Sequence, residues 1–212
     1  MSAELLQMLP GFASAFLRGL GTNLSIAAYS LLLGLPIGSL LGALCLPAAS
    51  PDDGRFFRRW GARMATGVIA LLRAAPTFVV MVVLFHAVPA RWALSGEGAV
   101  ALALAGYVAA YVADNMVVTV LDARAGARGG QVLFLKGLAR AYLVVVLSSG
   151  FGAALGVVEA TTVTLRALEQ LSATSDRLWL IGGVVLAFIA LRQCVQGAIN
   201  GLGRQLERRL NV

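Results

Sequence analysis

An arginine and a proline lie three residues apart inside a long apolar stretch of the chain. Arg73 and Pro76 belong to the sequence Leu-Arg-Ala-Ala-Pro-Thr, within an apolar run that extends from Met64 to Val88. A charged side chain at hydrocarbon depth is costly, so such an arginine normally faces a bundle interior, a polar cavity or a counter-charge. Pro76 lacks an amide proton and interrupts helical hydrogen bonding, and broken helices in membranes line protein or water. The pattern therefore predicts either a polar pathway beside a broken helix or a structural ion pair beside a proline kink.

Two further charged residues, Asp114 and Arg192, fall inside apolar runs. If each run is a straight helix that rises about 1.5 Å per residue, Arg73, Asp114 and Arg192 lie roughly 14, 11 and 15 Å from one membrane face. We therefore expect a charged layer in which Asp114 partly neutralises both arginines. This layer either contacts a solute in a pathway or holds the bundle in register. The candidate path and charged layer consist of Arg73, Pro76, Thr77, Tyr111, Asp114 and Arg192.

The composition is that of an integral membrane protein. Of the 212 residues, 59% are hydrophobic and only 13% are charged, and a mean hydropathy of +0.84 excludes an ordinary soluble domain. Because a spanning helix needs about 20 apolar residues, the length allows roughly five spans in a single transmembrane domain. The basic residues gather beside apolar runs, so the net charge of +7 indicates membrane topology and argues against nucleic acid as a partner. Cys45 and Cys194 stand alone in apolar segments, which supports neither a disulfide nor a metal site.

We predict an all-α, polytopic membrane helical bundle of about five transmembrane helices. Basic residues favour the cytoplasmic face. Four of them lie in the connection after the first span, and four lie between the third span and the start of the fourth. The C-terminal segment carries three more, whereas the opposite side carries four in all. The C-terminus is therefore expected to be cytoplasmic and the N-terminus outside. The predicted spans, within one transmembrane domain of residues 1–212, are 24–46, 64–88, 98–121, 132–158 and 178–202.

Shorter features refine this arrangement. Residues 1–19 suit a segment that lies in the membrane interface, and Thr22 or Asn23 is expected to cap the first span. Residues 159–177 are too polar to cross and are expected to form a short amphipathic helix in the interface. The first span carries glycines at four-residue spacing, a small-residue stripe that lets another helix approach closely. These glycines are Gly34, Gly38 and Gly42.

Four stretches, taken in order, resemble motifs of the membrane subunits of polar amino acid ABC importers, the histidine/glutamine permease family. Residues 19–24 are similar to the Gly-x-x-x-Thr-Leu start of that family's first conserved span, and residues 72–77 to its Phe-Arg-Gly-Thr-Pro motif. Residues 110–114 resemble its Ala-Tyr-x-x-Glu segment, and residues 149–160 resemble the stretch that ends in Ile-Gly-Val-x-Glu-Leu. Residues 205–210 also fit its common ending.

The resemblance implies a type I ABC importer (MetI-like) permease fold in the inner (cytoplasmic) membrane of a bacterium. It implies that the chain lines a translocation path with a second permease subunit, in a heterodimer. A cytoplasmic ATPase dimer, an extracytoplasmic solute-binding protein and membrane lipid would be the other partners, and a polar amino acid or related small solute the substrate. The sequence contains no Gly-x-x-x-x-Gly-Lys-Ser/Thr loop. ATP would therefore be used by the ATPase subunit, and the chain itself is expected to be neither an enzyme nor the holder of a cofactor.

One segment departs from the family. Its members carry a cytoplasmic Glu-Ala-Ala loop, whose short helix inserts into the ATPase, between the third and fourth of the matching stretches. Here residues 122–131 contain no Glu-Ala-Ala sequence and are shorter than that loop. Either the abbreviated loop still docks, or the chain depends on a complete partner permease. The candidate ATPase contacts are Arg124, Arg128, Lys136 and Arg140.

Two functions of other classes compete with an importer subunit at this point. The first is a non-transporting scaffold derived from a permease, in which the missing loop marks lost coupling and the charged layer is structural. The second is a small secondary carrier or channel, which the absence of evident inverted repeats in the sequence disfavours.

Overall fold

The computed structural model of the chain describes residues 2–46, 55–89, 91, 94–127 and 129–210. These residues form α-helices joined by short connections, with one 3₁₀ helix after the fifth α-helix. The α-helices are α1 (Ala3–Cys45), α2 (Arg55–Ala74), α3 (Thr77–Ala87), α4 (Gly96–Arg124), α5 (Gly130–Ser148), α6 (Ala160–Gln170) and α7 (Thr174–Leu210), and the 3₁₀ helix is Ser149–Leu155. The predicted all-α bundle is confirmed.

Four helical segments within the described residues are long and apolar enough to cross a membrane: α1, α4, α5 with the 3₁₀ helix, and α7. The count rises to five if α2 and α3, which meet at a sharp bend, are taken as one broken span. The predicted number of about five agrees with this upper count. Buried residues make up 56% of the apolar window of α4 but only 6% of that of α7, so α4 is the central helix and α7 a peripheral one.

The first helix differs from its prediction. Residues 1–19 were expected to lie apart in the interface, with a cap at Thr22 or Asn23, but α1 is continuous from Ala3 to Cys45. Its actual cap is Ser2, whose hydroxyl oxygen accepts a hydrogen bond from the Leu5 amide. At about 1.5 Å per residue, α1 extends for roughly 65 Å, about twice the thickness of a bilayer core.

Tertiary packing explains why α1 continues through Pro10 and the glycines near residue 20. Its first turns pack against α6 and α7 in an apolar cluster. The ring of Phe16 contacts that of Phe188 of α7 edge to face, with the ring centroids 5.9 Å apart. Burial of an apolar face stabilises a helix more than local propensity disfavours it. The buried members of this cluster are Leu5, Ala167, Leu171 and Leu180.

The glycine stripe of α1 is the contact surface for α4, as predicted. A Cβ atom on Gly38 would lie 2.5 Å from the Ala109 carbonyl oxygen, and one on Gly34 would lie 2.6 Å from the Val108 Cβ. At Gly42 the corresponding distance, to the Ala113 carbonyl oxygen, is 3.1 Å. The two helix backbones can approach this closely because the three glycines of α1 place no side chains at the contact. The core continues from this contact into α3 and α5 through Ile26, Met81, Leu104, Val108, Val112, Val145 and Val146.

The connection between α4 and α5 is as short as the sequence predicts. Only residues 125–129 separate the two helices. Gly126 and Gly129 adopt left-handed backbone angles, with φ of 84° and 93°, that a side chain would strain. No room remains between α4 and α5 for an additional helix. Arg128, one of the candidate ATPase contacts, lies outside the described residues.

The C-terminal third also follows the predicted order, with shifted boundaries. The fourth span was expected to reach Val158 but ends with the 3₁₀ helix at Leu155, where Gly156 turns the chain with φ of 76°. Residues 160–170 form the predicted short helix, α6. The last helix begins at Thr174, before the predicted start of the fifth span, and Asp176 there accepts hydrogen bonds from the amide and hydroxyl of Ser2.

Candidate functional site

The helix containing Arg73 breaks where the sequence predicts. α2 ends at Ala74 and α3 begins at Thr77, with an angle of 97° between them. The Ala75 amide still donates to the Leu71 carbonyl at 3.0 Å, and the next helical hydrogen bond is lost because Pro76 has no amide proton. This bend is far sharper than an ordinary proline kink. Residues 64–88 therefore do not form one straight span.

The predicted ion pair between Arg73 and Asp114 is present. The Nη1 atom of Arg73 lies 2.9 Å from the Oδ2 atom of Asp114. Both side chains remain open on the surface of the chain, with 64% of Arg73 and 42% of Asp114 exposed. Two charged side chains on a membrane helix bundle do not face lipid without a large penalty. The pair therefore faces either a water-filled path or a surface that another chain covers.

Apolar contacts between α2 and α4 hold this pair in place. Ile69 packs against Ala110 and Ala113, the residue immediately before Asp114. One turn further along α2, Leu72 approaches Gly106, where a Cβ atom would lie only 3.1 Å from the Leu72 Cδ2. The small residues of α4 thus allow the end of α2 to lie close against it. This approach brings the guanidinium of Arg73 to the carboxylate of Asp114.

The pair can bind a further anion. A guanidinium group carries five N–H donors in a rigid fork, and the contact with Asp114 joins one nitrogen to one oxygen. The remaining donors can hold a second carboxylate. The start of α3 adds unpaired amide groups nearby along the chain, because its first residue is Thr77 and its N-cap, Pro76, provides no side-chain cap. Chemically, the arrangement suits a carboxylate or a zwitterion.

Tyr111 lies one turn before Asp114 on α4 and contacts a different helix. Its ring stacks with that of Tyr107, with centroids 6.4 Å apart and an interplanar angle of 28°. Its hydroxyl lies over Gly137 of α5, 3.1 Å from the position of a Cβ atom there. The backbone carbonyl of Tyr111 also accepts a hydrogen bond from the Asn115 side chain at 2.8 Å. Tyr111 thus packs toward α5, whereas Asp114 reaches α2.

Arg192 does not join the charged layer. It lies at an exposed position of α7, and it forms no ion pair with any residue that the structure describes. The prediction that Asp114 neutralises both arginines is correct for Arg73 and wrong for Arg192. The reason is the peripheral position of α7, which packs mainly on α5 and α6. Similar depth along separate helices does not place their side chains on facing surfaces.

The candidate ATPase contacts lie near the connection between α4 and α5. Arg124 is the exposed last residue of α4. Lys136 and Arg140 lie one turn apart on α5, Lys136 half-buried and Arg140 exposed. Their role in docking an ATPase stays a prediction.

A second polar site, which we call the buried polar cluster, consists of Asn23, Ser149, Glu159 and Thr162. Sequence reasoning did not assemble it, although three of its residues fall in stretches that carry the family resemblance. The Asn23 side-chain nitrogen donates to Ser149 Oγ at 2.7 Å and to Glu159 Oε2 at 3.0 Å. Its oxygen accepts from the Ala160 amide at 3.1 Å. Asn23 therefore helps to cap α6 from within α1, where it was expected to cap its own helix.

Glu159 completes the cap of α6. Its carboxylate accepts hydrogen bonds from the amides of Thr161 at 2.8 Å and Thr162 at 2.9 Å, and its side chain is fully buried. An anion at a helix N-terminus is stabilised by the unpaired amides and by the helix dipole. None of the buried side-chain polar atoms among the described residues lacks a hydrogen-bond partner. The buried polar cluster is thus a structural joint between α1, the 3₁₀ helix and α6.

Glycines let the backbones meet at this joint. A Cβ atom on Gly19 would lie 2.7 Å from the Ala160 amide nitrogen, and one on Gly150 would lie 2.7 Å from Thr161 Oγ1. The two stretches that resemble the first and last family motifs, residues 19–24 and 149–160, therefore contact each other directly.

No family model and no curated protein matches the sequence. Solved structures do match the fold. A crystal structure of an amino acid ABC transporter with histidines superposes with a TM-score of 0.68 at 16% sequence identity, over 99% of this chain and 100% of that chain. A structure of the MetNI methionine ABC transporter in inward facing conformations superposes with a TM-score of 0.63 at 15% identity, over 97% of this chain and 99% of that chain.

Both matches extend over nearly the entire chain, so they concern the whole arrangement of helices and not one hairpin. At identities of 15% and 16% they establish the fold alone. The particular resemblance to the histidine/glutamine family, and the meaning of the short connection after α4, stay predictions. The chain is a multi-pass helical membrane protein with the fold of the permeases of ABC importers.

Proposed function

We propose that this chain is a permease subunit of an ATP-driven importer and lines a translocation path together with a second permease. The observation that carries the proposal is the exposed ion pair between Arg73 and Asp114 beside a helix broken by 97°. Broken membrane helices are tolerated where they line a cavity, and charged residues at that position mark solute pathways. The fold shared with an amino acid transporter and a methionine transporter supports the same function.

A second permease would complete the path. In the single chain, the ion pair between Arg73 and Asp114 is exposed. A partner subunit can cover this polar surface and leave a water-filled channel between the two chains. Large apolar side chains of α7, such as Leu178, Trp179 and Leu186, are also exposed. We expect a heterodimer, because the short connection at residues 125–129 leaves this chain without the segment that would dock most strongly on an ATPase.

The family resemblance implies the remaining partners, and the predicted topology gives the side on which each would bind. A cytoplasmic ATPase dimer would bind near Arg124, Lys136 and Arg140, and an extracytoplasmic binding protein would deliver the solute at the opposite face. ATP would be hydrolysed by the ATPase subunits. The expected location is the inner membrane of a bacterium, with the N-terminus outside.

The solute we propose is a polar amino acid or a related small carboxylate. Arg73 keeps donors that its contact with Asp114 does not use, and a guanidinium group binds a carboxylate in a bidentate manner that a lysine cannot reproduce. Loss of such a charge-assisted contact costs about 1.5–3 kcal/mol, which corresponds to roughly a 10- to 100-fold loss of affinity.

The experiment is transport by the complex that co-purifies with the tagged full chain, reconstituted with its binding protein and ATP. Uptake of radiolabelled histidine, glutamine and methionine is measured for the wild type, for Arg73→Lys and for the control Arg63→Lys on the same helix. We expect Arg73→Lys to reduce uptake at least tenfold at unchanged thermal stability, and Arg63→Lys to have little effect. Full transport by Arg73→Lys would remove Arg73 as a solute contact.

A scaffold without transport is the second candidate, and the short connection between α4 and α5 is the observation that favours it. The two functions differ in what accompanies the purified chain. An ATPase and a second permease support the importer, whereas a different membrane assembly without an ATPase supports the scaffold.

A further inference from the structure

A groove with a volume of about 680 Å³ lies between α1, α5 and α7, away from the broken helix. Its walls are apolar along most of their length, and its polar side chains are Lys136, Gln205 and Tyr142. The Tyr142 hydroxyl is already used, because it donates to the Leu24 carbonyl at 3.2 Å, so this residue presents its ring to the groove. The apolar walls are made by Leu31, Val132, Leu135, Leu138, Ala139 and Ile199.

Two of the three polar side chains of the groove lie at one end. Lys136 lies directly against Gly203 of α7, where the missing side chain makes room for it. Gln205 follows two residues later, at the same end. From there the groove runs along α5 to Tyr142, roughly 9 Å away at about 1.5 Å per residue. The groove thus has a polar, cationic mouth and an apolar body that is parallel to the helices.

The surroundings of the mouth are strongly basic. Arg204 is adjacent to Gly203 on α7 and is exposed. Arg140, one turn from Lys136 toward Tyr142, is also exposed but does not line the groove. Segments 130–140 and 203–210 together contain five basic residues and one acidic residue. By the predicted topology this end of both helices is cytoplasmic. Basic pockets between membrane helices on that side attract anionic lipid head groups.

We propose that this groove binds one anionic phospholipid, with an acyl chain against the apolar walls and the phosphate beside Lys136 and Arg204. Charge complementarity favours an anionic lipid over a zwitterionic one. It also favours a lipid over an apolar helix of a second permease, because such a helix would bring no anion to the basic mouth. The site does not depend on the proposed transport function. Its role would be to fix α7, the least buried of the long helices, against α5.

The test uses the full chain in vesicles with a single tryptophan reporter. Leu135→Trp places the reporter in the groove, and the control Leu133→Trp places it on the same helix at an exposed position outside the groove. Fluorescence quenching is measured with phosphatidylglycerol and with phosphatidylcholine that carry brominated acyl chains. The native tryptophans are replaced by phenylalanine at Trp60, Trp92 and Trp179.

At the groove reporter, we expect phosphatidylglycerol to bind more tightly than phosphatidylcholine by roughly fivefold for each basic residue that contacts the phosphate. At the control reporter, we expect the two lipids to quench about equally. Lys136→Gln with Arg204→Gln should abolish the preference, and Ala139→Phe, which fills the groove, should reduce quenching by both lipids at the groove reporter. Equal quenching by the two lipids at both reporters would mean ordinary lipid contact and would overturn the proposal. Absence of quenching in the groove, with normal quenching at the control, would mean that protein covers it and would overturn it too.

A second measurement avoids the reporter. The wild-type chain, extracted in a mild detergent, should retain phosphatidylglycerol or cardiolipin above its share in the source membrane. Lys136→Gln with Arg204→Gln should retain lipids in the proportions of the membrane. Retention of the same anionic lipid by that variant would contradict the assigned site.

Discussion

Asn23 and Glu159 are joined across 136 residues of chain, with the Asn23 Nδ2 atom 3.0 Å from the Glu159 Oε2 atom. Both side chains are almost completely buried, at 1% and 0% exposure. A buried carboxylate without partners would be strongly destabilising, and here the Asn23 amide and two backbone amides of α6 surround it. The contact fixes the middle of α1 to the start of α6.

Replacement of Asn23 by leucine should therefore destabilise the fold. Asn23→Leu keeps the branched shape of the side chain but leaves the Ala160 amide without a partner and removes one hydrogen bond each from Glu159 and Ser149, at an expected cost of about 2–4 kcal/mol. Thermal unfolding of the purified chain in detergent measures this. Ser25→Ala, an exposed change on the same helix, is the control and should leave the midpoint within a degree or so. Equal stability of Asn23→Leu and wild type would contradict the role of the buried polar cluster.

A methyl group at Gly38 should disturb the contact between α1 and α4. In Gly38→Ala the new Cβ would lie 2.5 Å from the Ala109 carbonyl oxygen, so the helices must separate, and we expect a loss of about 1–3 kcal/mol of stability. Gly21→Ala on the same helix is the matched control, since nothing lies within 4 Å of the added atom. At position 21 alanine should be neutral or slightly stabilising, because alanine has a higher helix propensity than glycine. Similar unfolding temperatures for the two variants would mean that α1 and α4 are less closely packed.

Loss of the carboxylate at Asp114 should affect transport more than stability. Because the ion pair with Arg73 is partly exposed, its contribution to folding is expected to be about 0–1 kcal/mol. Asp114→Asn leaves the charge of Arg73 without compensation on the path, so we expect tighter binding of anions and slower release, with reduced turnover. Uptake and thermal unfolding are measured together. A large loss of stability with no specific loss of turnover would make the pair a structural element.

The bend between α2 and α3 can be measured directly. Spin labels at residues 63 and 87, both exposed positions, should be roughly 23 Å apart if the helices meet near a right angle, and roughly 36 Å apart if they form one straight helix at about 1.5 Å per residue. Pulsed electron paramagnetic resonance distinguishes these distances. Labels at residues 102 and 121 of α4 provide a straight-helix control, expected at roughly 28 Å. A single population near the longer distance would rule out the bend.

The orientation in the membrane follows from the distribution of basic residues and is tested by labelling. In a chain with Cys45 and Cys194 replaced by serine, a cysteine at position 55 should react only after the membrane is permeabilised, and one at position 170 should react from outside. The reason is that basic connections favour the cytoplasmic face. The opposite pattern at both positions would invert the proposed topology and place the basic groove mouth outside.

Features that depend on local chemistry can be predicted from the amino-acid sequence. Apolar runs of about 20 residues identify membrane helices because each must satisfy its backbone hydrogen bonds within the helix. Pro76 identifies the break because a missing amide proton acts on its own turn of helix, wherever that helix packs. The stripe of Gly34, Gly38 and Gly42 identifies a close helix contact because it lies on one face at helical spacing.

Which helix surfaces meet depends on how the helices pack. The continuity of α1 through Pro10, the use of Asn23 as a cap for a distant helix, and the 97° angle at the break depend on contacts between residues far apart in the chain. The predicted charged layer is the clearest example, since Asp114 forms an ion pair with Arg73 and none with Arg192 among the described residues. Depth along a helix is a property of its sequence, but the direction in which a side chain points at its neighbours is set by how the helices pack.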